Sequence, residues 1–209
     1  MRTAWGRMTK IEIPTPHGPA RAELHCAEED AAVLMLGHGA GGGFQAKDLV
    51  AVARAARAAG VNVALVEQPY RVAGRRAPAP AKQLDAAWLA VAEDMGDRFD
   101  GLPLVFGGRS SGARVACRTA GDGQAVAVLC LAFPEHPPGK PEKSRQGELD
   151  ALDVPVLVVQ GESDPFGRPK AGPHREVVMI PGTHTLDKDL DGLSRAVTEW
   201  LSRVLRPLT

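Results

Sequence analysis

The sequence predicts an α/β protein built on a mostly parallel, doubly wound sheet that opens with an antiparallel hairpin. Three observations predict it. Short, wholly apolar runs recur, such as AVLML at 32–36 and AVAVLCLAF at 125–133, as expected of strands buried on both faces. Segments with apolar residues at helical spacing alternate with these runs. The runs end in glycine-rich or polar turns. Over 209 residues, with no internal repeat and no interdomain linker, the economical reading is one domain spanning residues 8–206.

The elements follow in order. Residues 10–26 read as two short strands: Ile11 and Ile13 alternate with polar neighbours, a Pro-Thr-Pro-His-Gly-Pro turn intervenes, and Ala22, Leu24 and Cys26 alternate again. Residues before Met8 read as a loose end, with Met8 as an alternative start. After the strand at 32–36, a helix is expected over 47–59, with Leu49, Val52, Ala53 and Ala56 on one face and Gly60 as its stop. Residues 61–66 form the next strand, followed by a basic, proline-rich loop, PYRVAGRRAPAPA. Leu84, Trp88, Val91, Met95 and Phe99 make one stripe on the next helix, a core face rather than a cofactor site. Leu104, Val105 and Phe106 open a strand, GGRSSG turns sharply, and a small-residue helix with Ala113, Val115 and Ala116 follows. Residues 125–133 form a strand and 134–153 a polar, proline-rich loop. The last strands fall at 154–159 and 177–180. The closing helix, 189–205, shows Leu193, Val197, Trp200, Leu201 and Val204 on one face.

Composition removes several functions. Lys plus Arg and Asp plus Glu both number 25, so the formal net charge is zero. That gives no electrostatic footprint for nucleic acid or for an anionic membrane. Cys26, Cys117 and Cys130 form no Cys-x-x-Cys pair, so neither a disulfide framework nor a metal site is expected, and Cys117 and Cys130 read as small core residues. No apolar run is long enough to span a bilayer, and the first sixteen residues lack an apolar signal core. A cytoplasmic protein is the expectation.

The chemistry collects at strand ends. Gly108-Arg109-Ser110-Ser111-Gly112 is a Gly-x-Ser-x-Gly pattern between a buried strand and a helix. There it holds the Ser hydroxyl beyond the sheet on a strained turn, with the helix N–H groups aimed where negative charge forms. A Ser hydroxyl needs a base, and a neutral imidazole suits the task. His184 ends the last strand, and Asp164, ending the strand before it, supplies a carboxylate to orient the ring. His174 is the weaker base, too close behind Asp164 in sequence to reach back, while His17, His25 and His136 lie in the hairpin or a proline-rich loop. The loop from Gly37 to Gly43 offers bare backbone N–H groups, so Ala40 and Ser111 are the expected oxyanion donors. Arg109 and Arg71 are candidate contacts for an anionic substrate, beside the blander reading of solvated surface arginines, as for Arg75 and Arg76.

A rival reading competes for the same glycines. Gly37-x-Gly39-x-x-Gly42 after a strand, with Glu67 ending the next, imitates a dinucleotide fingerprint. It requires a helix that starts within the glycines, whereas helical periodicity starts near Lys47, and it leaves Ser110, Asp164 and His184 without a purpose. No phosphate-binding GxxxxGK[ST] loop is present.

Taken together, GGRSSGARVA, HGAGGGF, SDPFG and GTHTL resemble the α/β-hydrolase superfamily over nearly the whole chain. EQPYRVAGRRAP and FPEHPPGKPEKSR fit the small dienelactone-hydrolase-like group. That group includes predicted bacterial hydrolases and the hydrolase-like domain of a subunit of the NSL histone-acetyltransferase complex. The resemblance implies the α/β-hydrolase fold with no lid domain, since 134–153 is too short for one. It also implies no cofactor and hydrolysis of a small-molecule ester or thioester through an acyl-enzyme. Ser110 matches the nucleophile, Asp164 the acid, His184 the base, and Ala40 and Ser111 the oxyanion hole. Dienelactone hydrolases proper use Cys where Ser110 stands, a departure that counts against their substrate. A hydrolase fold kept as an interaction module without turnover is the alternative from another functional class.

Overall fold

A computed structural model describes residues 8–206. The loose end and alternative start expected near Met8 lie almost wholly outside the described residues; Met8 itself begins a strand. The strands β1 (Met8–Ile13) and β2 (Ala20–His25) form the expected antiparallel hairpin. Then come β3 (Ala32–Gly37), α1 (Lys47–Ala58), β4 (Val61–Glu67), a one-turn helix α2 (Pro69–Val72) and α3 (Ala81–Arg98). They are followed by β5 (Leu104–Arg109), α4 (Ser111–Thr119), β6 (Ala127–Leu131) and α5 (Gln146–Asp150). β7 (Val156–Gly161), β8 (Arg175–Ile180) and α6 (Leu190–Leu205) complete the order.

The strands make one sheet in the order β1-β2-β4-β3-β5-β6-β7-β8. β2 pairs antiparallel with β1 and β4, and every other pair is parallel. Side chains alternate between two cores. Ala127, Leu129 and Leu131 of β6 face the layer of α1 and α6, whereas Val128 and Cys130 face the layer of α3 and α4. The stripe on α3 is core as expected: Leu84, Trp88, Val91 and Met95 are buried, and Trp88 meets Phe106 edge-on. Cys117 and Cys130 are buried with free thiols, their sulfurs 3.5 Å apart.

Several boundaries move for physical reasons. β5 runs on through Gly107, Gly108 and Arg109, because the paired glycines remain in the ladder with β6. β6 is shorter than its apolar run, since Ala132 takes φ 47° and turns the chain, while Ala125 and Phe133 are buried from outside the strand. The loop after β4 is not all irregular: Pro69 occupies the first turn of α2, where its fixed φ and missing N–H cost nothing. The segment 134–153 carries a single 3-10 turn (Pro141–Lys143) and the five-residue α5.

β4 lies on one side of β3 and β5 on the other. Sheet order therefore reverses between β3 and β5, and loops leaving their carboxyl ends part to opposite faces. A crevice at that edge is where open α/β sheets place ligands.

Candidate active site

Ser110 stands at the carboxyl end of β5 as the N-cap of α4, with φ 54° and ψ −111°. A positive φ on a residue bearing a Cβ costs about 1–3 kcal/mol. The surroundings hold it there: the Ser110 N–H donates to the Leu131 carbonyl at 2.9 Å, and its own carbonyl accepts from the Arg114 N–H at 3.3 Å. The flanking glycines are steric requirements. A Cβ on Gly108 would stand 2.6 Å from the Gly112 carbonyl carbon and 2.8 Å from the Gly37 oxygen. One on Gly112 would stand 2.5 Å from the Gly37 oxygen and 2.8 Å from the His38 oxygen. The elbow thus crosses the end of β3 backbone against backbone, which sets the start of α4 beside the glycine-rich loop.

Three side chains remote in sequence meet at this edge. Ser110 Oγ lies 2.8 Å from His184 Nε2, and His184 Nδ1 lies 2.8 Å from Asp164 Oδ2. The Asp164 side chain is fully buried. Besides the His184 ring, it accepts from Gln160 Nε2 at 2.9 Å on Oδ2 and from the Phe166 N–H at 2.9 Å on Oδ1. A carboxylate ringed by N–H donors has no proton to give, so the ring proton belongs on Nδ1. That leaves the Nε2 lone pair toward Ser110, the arrangement a general base needs. The Phe166 ring stacks on the imidazole with centroids 4.2 Å apart and the planes 30° from parallel. Gly161, the last residue of β7, has no room for a Cβ beside the Thr183 and Gly182 carbonyls, so the His184 loop rests directly on the strand end.

The glycine-rich loop comes to the same place. A Cβ on Gly39 would lie 3.6 Å from the Ser110 Cβ. Among the described residues, neither the Ala40 nor the Ser111 N–H has a protein acceptor. Both residues are part-exposed. The loop is pinned from behind. Tyr70 donates its O–H to the Ala40 carbonyl at 2.9 Å. His38 is buried; its Nε2 accepts from the Gln68 N–H at 3.1 Å, so its Nδ1 carries the proton and donates to the Gly39 carbonyl at 2.8 Å. The glycines end in a turn, Gly42 N–H to the Gly39 carbonyl, and α1 begins only at Lys47, unlike a dinucleotide fingerprint.

The His38 network has a measurable consequence. Burial is the main cause that holds His38 below the ordinary histidine value near 6.5, with the Gly39 carbonyl and Glu67 opposing and Arg71 assisting. The unfolded chain therefore takes up this proton first as pH falls, and the unfolded state is favoured. Stability from this group is complete above about pH 6.5 and declines below it, until the lowered folded value is passed. In His38→Gln, whose amide oxygen can still accept from the Gln68 N–H, the fall in Tm between neutral and mildly acid pH is expected to be shallower than in wild type. An unchanged slope would place the acid sensitivity elsewhere.

His174 is exposed at the amino end of β8, where its carbonyl accepts from Val156, so it is remote from Ser110. Arg109 is not a solvated surface charge: its guanidinium turns inward onto buried Asp48 and the His184 carbonyl. Arg71 lies in α2, half-buried, with Nη1 on the Arg75 carbonyl at 3.4 Å, while Arg75 and Arg76 are exposed. Tyr70, Gln160, Phe166 and Asp48 were not singled out from the sequence. Gln160 alone left a signal there: a polar residue at the end of an otherwise apolar strand. Among the described residues no cluster of His, Cys, Asp or Glu could hold a metal ion, and no helix is long and apolar enough to cross a membrane.

A family model described as an alpha/beta hydrolase domain matches residues 30–181. No curated protein matches the chain. Among solved structures it is similar to an α/β serine hydrolase without lid from Xanthomonas campestris, with 21% identity, TM-score 0.76 and 94% of each chain covered. It is similar to Est1E from Butyrivibrio proteoclasticus with ferulic acid bound, with 18% identity, TM-score 0.76 and coverage of 94% of this chain and 99% of that one. It is also similar to a dienelactone hydrolase from Anabaena variabilis, with 15% identity, TM-score 0.73 and coverage of 94% and 97%. At such identities the likeness is one of fold.

Proposed function

The chain belongs to the alpha/beta hydrolase family, and on that footing we propose that it is a serine hydrolase that cleaves carboxylic esters or thioesters of small molecules. The observation that supports this reading is the continuous chain of contacts from Ser110 Oγ through His184 to Asp164, with both links at 2.8 Å. His184 Nε2 takes the Ser110 proton as Oγ bonds to the acyl carbon. The carbonyl oxygen becomes an oxyanion against the Ala40 and Ser111 N–H groups. Losing such a donor typically costs about 3 kcal/mol of transition-state stabilisation. The tetrahedral intermediate collapses, the C–O or C–S bond breaks, and the leaving alkoxide or thiolate takes the proton from His184. Water then enters, gives a proton to the same Nε2, attacks the acyl-enzyme, and releases the acid as Ser110 regains its proton. Asp164 steadies the imidazolium formed in each half.

The short segment between β6 and β7 leaves recognition to loops at an open edge, which suits small or exposed acyl groups. Est1E was solved with ferulic acid, so a hydroxycinnamate ester belongs in the trial panel. The test is hydrolysis of p-nitrophenyl esters and acyl thioesters of graded length and charge, alongside labelling by a fluorophosphonate probe. Turnover of short neutral esters and labelling of the native protein are expected, and a preference for carboxylate-bearing esters would implicate Arg71. A folded protein that neither reacts nor hydrolyses any of them would overturn the proposal in favour of an interaction module.

A further inference from the structure

We propose that Arg109, held by Asp48, is a positioning residue that clips the nucleophile turn, the base loop and the oxyanion loop together. The inference rests on the serine-hydrolase reading of the site. Arg109 precedes Ser110 in the chain and is the last residue of β5. Its guanidinium reaches three different segments. Nε lies 2.7 Å from Asp48 Oδ2, an ionic contact to the first turn of α1. Nη2 donates to the His184 carbonyl at 3.1 Å. Nη1 lies against Gly39, 3.3 Å from where a Cβ would project. Gly39 is thus bare on the side where this cation passes.

The pair is not a surface ornament. The Asp48 side chain is 1% exposed and that of Arg109 16%. Asp48 Oδ1 also accepts from the Leu49 N–H at 2.9 Å, which fixes the carboxylate toward Arg109. Burial raises the Asp48 carboxyl above the usual carboxylate range, while the Arg109 charge pulls it back down, so each ion needs the other. A planar guanidinium presents its donors in a fixed fork toward partners on separate sides, whereas an ammonium is a compact charge on a flexible stem. The geometric result is that the peptide carrying His184 is tied to the residue before Ser110. The imidazole is then held from both ends: by Asp164 at its ring and by Arg109 at its backbone. A small displacement of a catalytic group costs on the order of 100-fold in rate.

The experiment compares Arg109→Met, Arg109→Lys and Asp48→Asn, singly and with Arg109→Met/Asp48→Asn combined, on esters of three charge types. kcat for Arg109→Met is expected to fall on the order of 10- to 100-fold, with KM little changed and the loss equal for anionic, neutral and cationic esters. Arg109→Lys should recover part of it. The combined variant should be no worse than Arg109→Met alone, since Asp48 acts only through Arg109. Imidazole NMR supplies a readout that does not require turnover: the hydrogen-bonded ring proton of His184, sharp in wild type, should broaden or vanish in the folded variants. Unchanged kcat and an unchanged ring signal in a folded variant would overturn the proposal. So would a KM effect confined to carboxylate-bearing esters, which would make Arg109 a substrate contact, or independent additive losses at Asp48 and Arg109. If Arg109→Met does not fold, Arg109→Lys and Asp48→Asn carry the same comparison. A wild type without turnover defeats the hydrolase reading, while the ring signal still decides the clip.

Discussion

Ser110→Ala is expected to abolish fluorophosphonate labelling and to lower kcat on the order of 10⁶-fold, with Tm close to that of wild type. The rate figure follows from what is lost: among the described residues, the hydroxyl 2.8 Å from His184 Nε2 is that of Ser110. The Tm expectation follows from what is kept. Alanine retains a Cβ, so the turn at φ 54° stays as strained as before, and the Ser110 backbone bonds to Leu131 and Arg114 persist. Ser110→Gly is the informative companion, because glycine adopts positive φ without steric cost and should melt higher than Ser110→Ala while being equally unlabelled. That ordering reports strain at the elbow independently of chemistry. Persistent labelling of Ser110→Ala would assign the nucleophile to another residue. Residual turnover above the uncatalysed rate would be no contradiction, since oxyanion donors and substrate binding alone give on the order of 10³–10⁴-fold.

Much of this site could be read from the sequence because its members are marked by local signals. Ser110 lies in a spaced glycine pattern between an apolar run and a helix, and Asp164 and His184 each follow an apolar run. A parallel sheet carries every such terminus to one edge. The support around them has little local signal, the polar Gln160 ending an otherwise apolar strand being the exception. Tyr70 reaches Ala40, Gln160 reaches Asp164, and Asp48 reaches Arg109 only after distant segments have packed. Arg109 shows the limit well. Its charge was evident, but whether the last residue of a strand turns outward to solvent or inward to a carboxylate depends on α1, whose first turn supplies Asp48. The glycines divide in the same way. Gly108 and Gly112 belong to a recognisable pattern, whereas Gly161 is required by the Thr183 carbonyl, a neighbour that only the folded sheet provides. The overlong reading of β6 has a related origin: Ala125 and Phe133 are buried, and hydrophobicity records burial whether or not the residue is in the ladder.

Asp164→Asn is expected to leave the protein folded and to lower kcat on the order of 10⁴-fold. Donors from three residues converge on this carboxylate: the Phe166 N–H on Oδ1, and Gln160 Nε2 with His184 Nδ1 on Oδ2. An amide has a single oxygen for them. With its oxygen toward Phe166, its NH2 group faces the histidine, and the ring proton shifts to Nε2. That nitrogen then points a proton at Ser110 and can no longer accept one. With its oxygen toward His184, the ring keeps its tautomer, but the Phe166 N–H faces another donor at a buried position, and the negative charge that steadies the imidazolium is gone. The first orientation removes base catalysis and the second weakens it, while folding loses at most a few of the many contacts at the end of β7. Single-turnover acylation by a p-nitrophenyl ester, read beside Tm, separates the two effects. The slow step should be acylation itself, and Tm should fall modestly. A folded Asp164→Asn protein that acylates within about tenfold of wild type would mean that something other than this carboxylate orients His184, and the catalytic assignment would have to be rebuilt around that group.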